Sequence, residues 1–174
     1  MSTTDHEPRA SLHSATARQA TVSYPSDTEL VITRDFRAPR TLVFDAITQP
    51  EHVRGWYGMS PDGMLVCDID FRVGGGWHYV LAGEPGGPDH SFSGTYLEIS
   101  PPERLVCTEG YDNIPGAVYT VTITLTENAG VTTLTSHLQY PSTEQRSGHV
   151  DAGMEYGMNL SYNRLEDLLT QLQS

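Results

Sequence analysis

The stretch FRVGGGWHYV, Phe71–Val80, decides the fold, because three consecutive glycines separate two runs that otherwise read as strand. Glycine in regular structure costs roughly 0.5–1 kcal/mol against alanine, so a run of three needs a reason. A phosphate cradle would require G-x-G-x-x-G or G-x-x-x-x-G-K-[ST] opening a helix whose first amides hold the anion. Neither pattern is present, and Gly76 leads into the alternating, aromatic WHYVLAG. The glycines therefore read as a tight turn or bulge between two strands, and the chain as a sheet protein rather than a nucleotide-binding α/β protein.

Working outward, upstream MLVCDIDFRV places Leu65, Cys67, Ile69, Phe71 and Val73 on one face and Asp68, Asp70 and Arg72 on the other. Downstream, GWHYVLAG, HSFSGTYLEIS, RLVCTEGY, AVYTVTITLTE and VTTLTSHLQY form a meander of antiparallel hairpins, separated by Gly, Pro, Asn and Asp clusters. Further upstream, ELVITRDFR is the first strand, with Leu30, Ile32 and Phe36 on one face and only Arg34 interrupting. Between it and MLVCDIDFRV lie two short helical stretches, TLVFDAI and PEHVRGWYG, each begun near a proline. The last segment carries Met154, Met158, Leu165, Leu168, Leu169 and Leu172 at helical spacing, with Ser142 and Thr143 as candidate caps, and predicts one long helix. Gly148, Gly153 and Gly157 weaken that helix, which points to close approach to the sheet or to space left open. The fold class is α+β: a curved seven-stranded antiparallel sheet whose apolar face only the terminal helix can cover. Residues 1–28 read as a disordered N-terminal tail and 29–174 as a single domain.

Composition excludes several functions. The 174 residues hold 22 acidic and 10 basic side chains, for a net charge of −12, which opposes nucleic acid and anionic membranes as partners. Every basic residue is arginine, so a Schiff-base lysine and a P-loop lysine are both ruled out. No apolar run reaches membrane-spanning length and the N-terminus lacks a signal-peptide core, so a cytoplasmic protein without membrane insertion is expected. Cys67 and Cys107 stand alone in apolar strands and read as free thiols, roughly 14 Å apart across three strand spacings. His6 and His13 are in the tail, His90 is in a turn, His78 and His137 point outward, and His52 and His149 are helical and isolated. No metal or other cofactor is implied.

The motifs resemble those of a known family. RAPRTLVFDAIT (37–48), EHVRGWYG (51–58), DFRVGGGW (70–77), SGTYLEISPPERLVCT (93–108) and GMEYGM (153–158) occur in an order similar to the SRPBCC or START-like superfamily. Within it the likeness is to the domain named after the C-terminal part of the activator of the heat-shock-90 ATPase. The resemblance covers about residues 29–174 and implies the helix-grip fold, with the glycine pair bending at a cavity rim. It also implies small-molecule binders, lipid carriers, polyketide cyclases and a few co-chaperones on one scaffold, so fold alone does not give activity. The co-chaperone's further N-terminal domain has no counterpart in this sequence, which ranks that reading last.

Asp68 and Asp70 oppose the apolar face and belong in water. Glu109 shares parity with Leu105, Cys107 and Tyr111, so its carboxylate either enters the apolar side, where desolvation raises its pKa, or sits at the solvated strand end. In the helix-grip layout Trp56, Tyr57, Trp77, Tyr79, Glu109, Tyr111 and Tyr119, with Met154, Gly157 and Met158 from the helix, converge on one cavity; alternatively they fill the core. The leading expectation is binding of a hydrophobic or aromatic small molecule between sheet and helix. The alternatives are a cyclase- or hydrolase-type enzyme with Glu109 as catalytic candidate beside a tyrosine, and a co-chaperone-like interaction domain. A homodimer is left open.

Overall fold

The computed structural model describes residues 18–174. Eight strands form one antiparallel sheet, in the order β1-β2-β8-β7-β6-β5-β4-β3. They are β1 (Thr21–Ser23), β2 (Glu29–Phe36), β3 (Met64–Ile69), β4 (Gly76–Leu81), β5 (His90–Ser100), β6 (Arg104–Tyr111), β7 (Val118–Asn128) and β8 (Val131–Gln139). The helices α1 (Arg40–Thr48) and α2 (Pro50–Trp56) connect β2 to β3, and α3 (Thr143–Asp151) and α4 (Met154–Leu172) come after β8. This is the expected helix-grip arrangement with one strand more than the seven counted from the sequence. The added strand lies in the expected tail, whose residues 18–28 are thereby part of the fold. Thr21–Ser23 pairs with Val31–Thr33, and Arg18 bonds Glu166 and Asp167 on α4. The rest of the expected tail, residues 1–17, lies outside the described residues.

The glycine run is the turn that was expected. Gly74 has φ +82, and a Cβ on Gly75 would sit 2.1 Å from the Asp70 carbonyl oxygen. The Gly74 amide donates to the Tyr96 carbonyl and the Tyr96 amide to Gly75, so the turn is also fastened to β5. Positive φ at one position and close backbone approach at the next are what only glycine supplies.

The sheet's inner face obeys the strand alternation on β2, β6 and β8, with Leu30, Ile32, Phe36, Leu105, Cys107, Leu134 and Leu138 buried. On β3 the alternation fails at both ends. A register shift between Met64 and Val66 turns Leu65 outward, and the strand stops at Ile69, leaving Phe71 and Val73 exposed at 39% and 61%. Arg34 does not interrupt the core: its buried guanidinium bonds the Glu166 carboxylate at 2.8 Å and lies over the Phe36 ring. Cys67 on β3 and Cys107 on β6 are free thiols separated by two intervening strands, as expected.

The single long helix expected at the C-terminus is two. Ser142 caps α3, accepting from the Gln145 amide at 3.2 Å, but Gly153 at φ +87 leaves the helical path and α4 starts afresh. The apolar spacing belongs to α4 alone, since α3 has no buried residue.

Candidate functional site

The inward stripe of α4 runs Met154, Gly157, Met158, Ser161, Tyr162, Leu165, Leu168 and Leu169, the three- and four-residue steps of one helix face. Its C-terminal half is packed tight: Leu165 and Leu169 are 0% and 2% exposed, and Tyr162 meets Phe36 edge-on at 5.8 Å. The N-terminal half is not. A Cβ on Gly157, one turn before buried Ser161, would meet no heavy atom within 4 Å. The stripe is therefore open beside Gly157 and closed from Ser161 onward.

The opposite wall is aromatic. Tyr79, Phe92 and Tyr111 lie side by side on β4, β5 and β6, and Glu109 lies opposite Tyr119 across β6 and β7. Tyr57, at the end of α2, packs against Tyr79 at 4.9 Å and Phe92 at 6.3 Å. It is held there because Gly58 exchanges two hydrogen bonds of 3.1 Å with the Ser161 hydroxyl, and its carbonyl also accepts from Arg164. On the other side Tyr119 stacks on Tyr140 at 4.7 Å and on His149 of α3 at 5.2 Å. The Tyr140 hydroxyl bonds His149 Nδ1 at 2.6 Å, which fastens α3 across this end of the sheet.

Glu109 is the one acidic group on this wall. It is half-buried, and it accepts a 2.7 Å hydrogen bond from the Tyr119 hydroxyl. Burial pushes its carboxyl above the ordinary carboxylate range, and the Tyr119 bond offsets part of that rise. Burial, then the Glu109 charge, hold the Tyr57 and Tyr119 hydroxyls far from ionisation, and Tyr140 and Tyr162 are raised in the same way. Burial pushes the Cys107 thiol up to about 12 and lowers His149, so the neighbouring thiol is unreactive and the imidazole favours its neutral form. Glu109 is thus the acidic group on this wall, its carboxyl raised by burial, and the tyrosines serve as neutral donors and acceptors.

A family model described as "Activator of Hsp90 ATPase homolog 1-like protein" matches residues 37–170. The chain belongs to this family. Solved structures agree. A protein of Rhodobacter sphaeroides is similar with a TM-score of 0.80 at 26% identity, over 88% of this chain and 99% of its own. Proteins of Nitrosomonas europaea and Mycobacterium smegmatis each have a TM-score of 0.76 at 28% identity over 86% of this chain, covering 99% and 96% of their own. Comparison with curated proteins finds none that matches.

In this member of the Hsp90 ATPase activator-like family, the residues singled out from the sequence divide into two groups. Tyr79, Tyr111, Glu109 and Tyr119 hold neighbouring register positions with Tyr57 packed on Tyr79, and Met154, Gly157 and Met158 lie on the inward stripe of α4. Trp56 does not join them; it is buried and donates its indole N–H to the Ala46 carbonyl at 2.8 Å, as part of the helix packing. Trp77 is also buried, lying across Gly94, where a Cβ would come within 2.4 Å of its Nε1. Trp77 borders a separate open cleft of about 540 Å3 at the edge of the sheet, with Pro50, Cys67 and Ile69. That cleft shares no residue with the wall around Glu109, and its lining also holds Asp68, Asp70, Gly76 and His78.

Sequence reasoning missed Phe92, His90, Tyr140 and His149. His90 is not in a turn; it opens β5 and bonds the Tyr111 hydroxyl through Nδ1 at 2.7 Å. His149 is not isolated, because the turn after β8 folds α3 back over Tyr119 and Tyr140. Tyr140 was within reach of strand parity, since it continues the Leu134, Ser136, Leu138 series, whereas the return of α3 carries no periodic signal. His137 pairs with Glu29 and His78 with Ser91, each at the surface side of its strand.

Proposed function

We propose that the protein binds a hydrophobic, aromatic small molecule in the hollow between the start of α4 and the wall of Tyr57, Tyr79, Phe92, Tyr111, Tyr119 and Glu109. The observation that carries this reading is Gly157, a position on the inward stripe of α4 that has open space beside it. A chain selected only for a filled core would place a methyl group or more at Gly157, since interiors are close-packed. The mixed lining of apolar rings and a few polar atoms is that of ligand pockets.

The test is a thermal-shift series with sterols, fatty acids, flavonoids and aromatic polyketides, repeated on Gly157→Leu. A ligand at about 100 times its Kd adds ~2.7 kcal/mol, or roughly 5–10 °C in a domain of this size. The reading holds if a shift appears and Gly157→Leu removes it. It falls if no class shifts the protein, or if the shift survives the substitution.

A second reading rests on the Glu109–Tyr119 pair. A carboxyl whose pKa is raised, bonded at 2.7 Å to a neutral phenol, could move a proton to or from a bound substrate, as a cyclase or hydrolase requires. Turnover of a binding ligand that Glu109→Gln abolishes without weakening binding would favour it over binding alone.

A further inference from the structure

The site's electrostatics are unbalanced in one direction. Glu109 Oε1 is bonded to Tyr119, and among the described residues no arginine or histidine forms an ion pair with this carboxylate. The arginines that reach the inner elements are engaged elsewhere: Arg34 with Glu166, Arg146 with the Ser26 carbonyl and Tyr24, and Arg164 with the Gly58 carbonyl. The chain has no lysine to supply the missing charge. A half-buried carboxylate without a counter-charge is costly unless something else satisfies it.

Three tyrosines neighbour this carboxylate: Tyr119 donates to it, Tyr140 packs on Tyr119 at 4.7 Å, and Tyr57, which packs on Tyr79, lies close enough to feel its charge. Ring faces are electron-rich and attract cations, the more so where water is excluded. Their hydroxyls stay protonated, so the rings add hydrogen bonds to the site without adding charge. A net charge of −12 raises the local concentration of any cation. A neutral aromatic ligand would leave the Glu109 charge unanswered, and an anionic one would be repelled by it.

We infer that the natural ligand is an aryl-alkyl amine, its ammonium group seated between Glu109 and the tyrosine rings and its apolar part in the hollow beside Met154, Gly157 and Met158. This rests on the binding reading above and narrows it to one ligand class. The carboxylate and the phenol of Tyr119 receive the N–H donors, and the methionines accommodate the ring.

Three probes that share a ring system and differ in charge test the inference: 1-naphthylmethylamine, 1-naphthylmethanol and 1-naphthylacetate. Each is titrated calorimetrically into the full chain near neutral pH at about 0.15 M salt, where surface charges are screened. The amine is expected to bind at least about tenfold tighter than the alcohol, with the acetate weakest. Glu109→Gln should bring amine and alcohol to within about twofold of each other. Equal binding of amine and alcohol overturns the inference and leaves the cavity reading standing. An amine preference that persists in Glu109→Gln overturns it as well, and so does failure of all three probes, while the thermal-shift series decides the binding reading separately. If Glu109→Gln does not fold, the ranking of the three probes on the unaltered protein decides.

Discussion

Gly157 offers the most direct measurement of the hollow. It sits in the first turn of α4, inside a helix, where glycine costs about 1 kcal/mol relative to alanine. A Cβ there meets nothing within 4 Å, so Gly157→Ala recovers that cost without a clash and raises Tm by about 2–4 °C for a domain of this size. Gly157→Leu adds three carbons beyond alanine. If they are buried in the hollow, at about 0.8 kcal/mol per carbon, they contribute ~2 kcal/mol more, and the total rise approaches 6 °C or above. If the position faced water the two variants would be equally stable, and if the space were already filled leucine would lose 1–3 kcal/mol, roughly, through overpacking. Urea unfolding of the three proteins, analysed for midpoint and slope, separates these outcomes. A leucine variant no more stable than alanine refutes the hollow and, with it, the ligand site.

The remaining predictions concern the wall and its support. Because burial raises the folded-state carboxyl of Glu109 above its ordinary value of 4.5, the folded chain takes up this proton before the unfolded chain does. Stability from this group is present below 4.5 and is lost as pH rises through the folded value, so Glu109→Gln should stabilise the protein at pH 8, roughly, and not at pH 4. Urea midpoints that differ by the same amount at both pH values would contradict this. His149 runs the other way: burial lowers it from 6.5, so the stability it supports is present above that value and lost as pH falls towards its lower folded value. Amide exchange in α3, corrected for intrinsic rates, should therefore quicken on going from about pH 7.5 to about pH 5.5 in the parent and less so in His149→Gln; equal acceleration in both would refute the assignment. Finally, Gly94→Ala places a Cβ 1.8 Å from the Thr108 carbonyl oxygen and against the Trp77 indole. A loss of about 3 kcal/mol or more is expected on unfolding, and a neutral outcome would mean that β5 can shift.

Strand alternation carried most of the fold. On β6 the period of two put Leu105 and Cys107 inside and also found the inward parity of Glu109, because the strand pairs on both sides and its one irregularity of pairing falls on the β5 side, between Tyr96 and Glu98. The glycines at 74–76 were readable as a turn since the alternatives need specific neighbours that are missing. β3 misled because it is an edge strand: a single bulge reverses parity for Leu65, and no partner extends the strand to Phe71 and Val73. β1 escaped notice because three residues are too few to show a period. The helix break at Gly153 was visible only as a weak position, since whether a helical glycine stays in the αR region or crosses to positive φ depends on what surrounds it. The aromatic wall was found in part, through Tyr57, Tyr79, Tyr111 and Tyr119. His149 was not, because its neighbours are set by the path of α3 rather than by any local pattern.

That path has a practical consequence for where the domain can be cut. With no apolar side chain fully buried, α3 leans on Val150, on the His149 ring against Tyr119, and on polar ties. Two of these come from the segment between β1 and β2: Arg146 donates to the Ser26 carbonyl and lies over the Tyr24 ring. A shortened chain beginning at Glu29, where the composition changes, would keep seven strands and α4 but would remove both ties. The segment that composition marks as dispensable is the one that seats the helix over Tyr119 and Tyr140, so a chain meant for ligand measurements should retain everything from Arg18 onward.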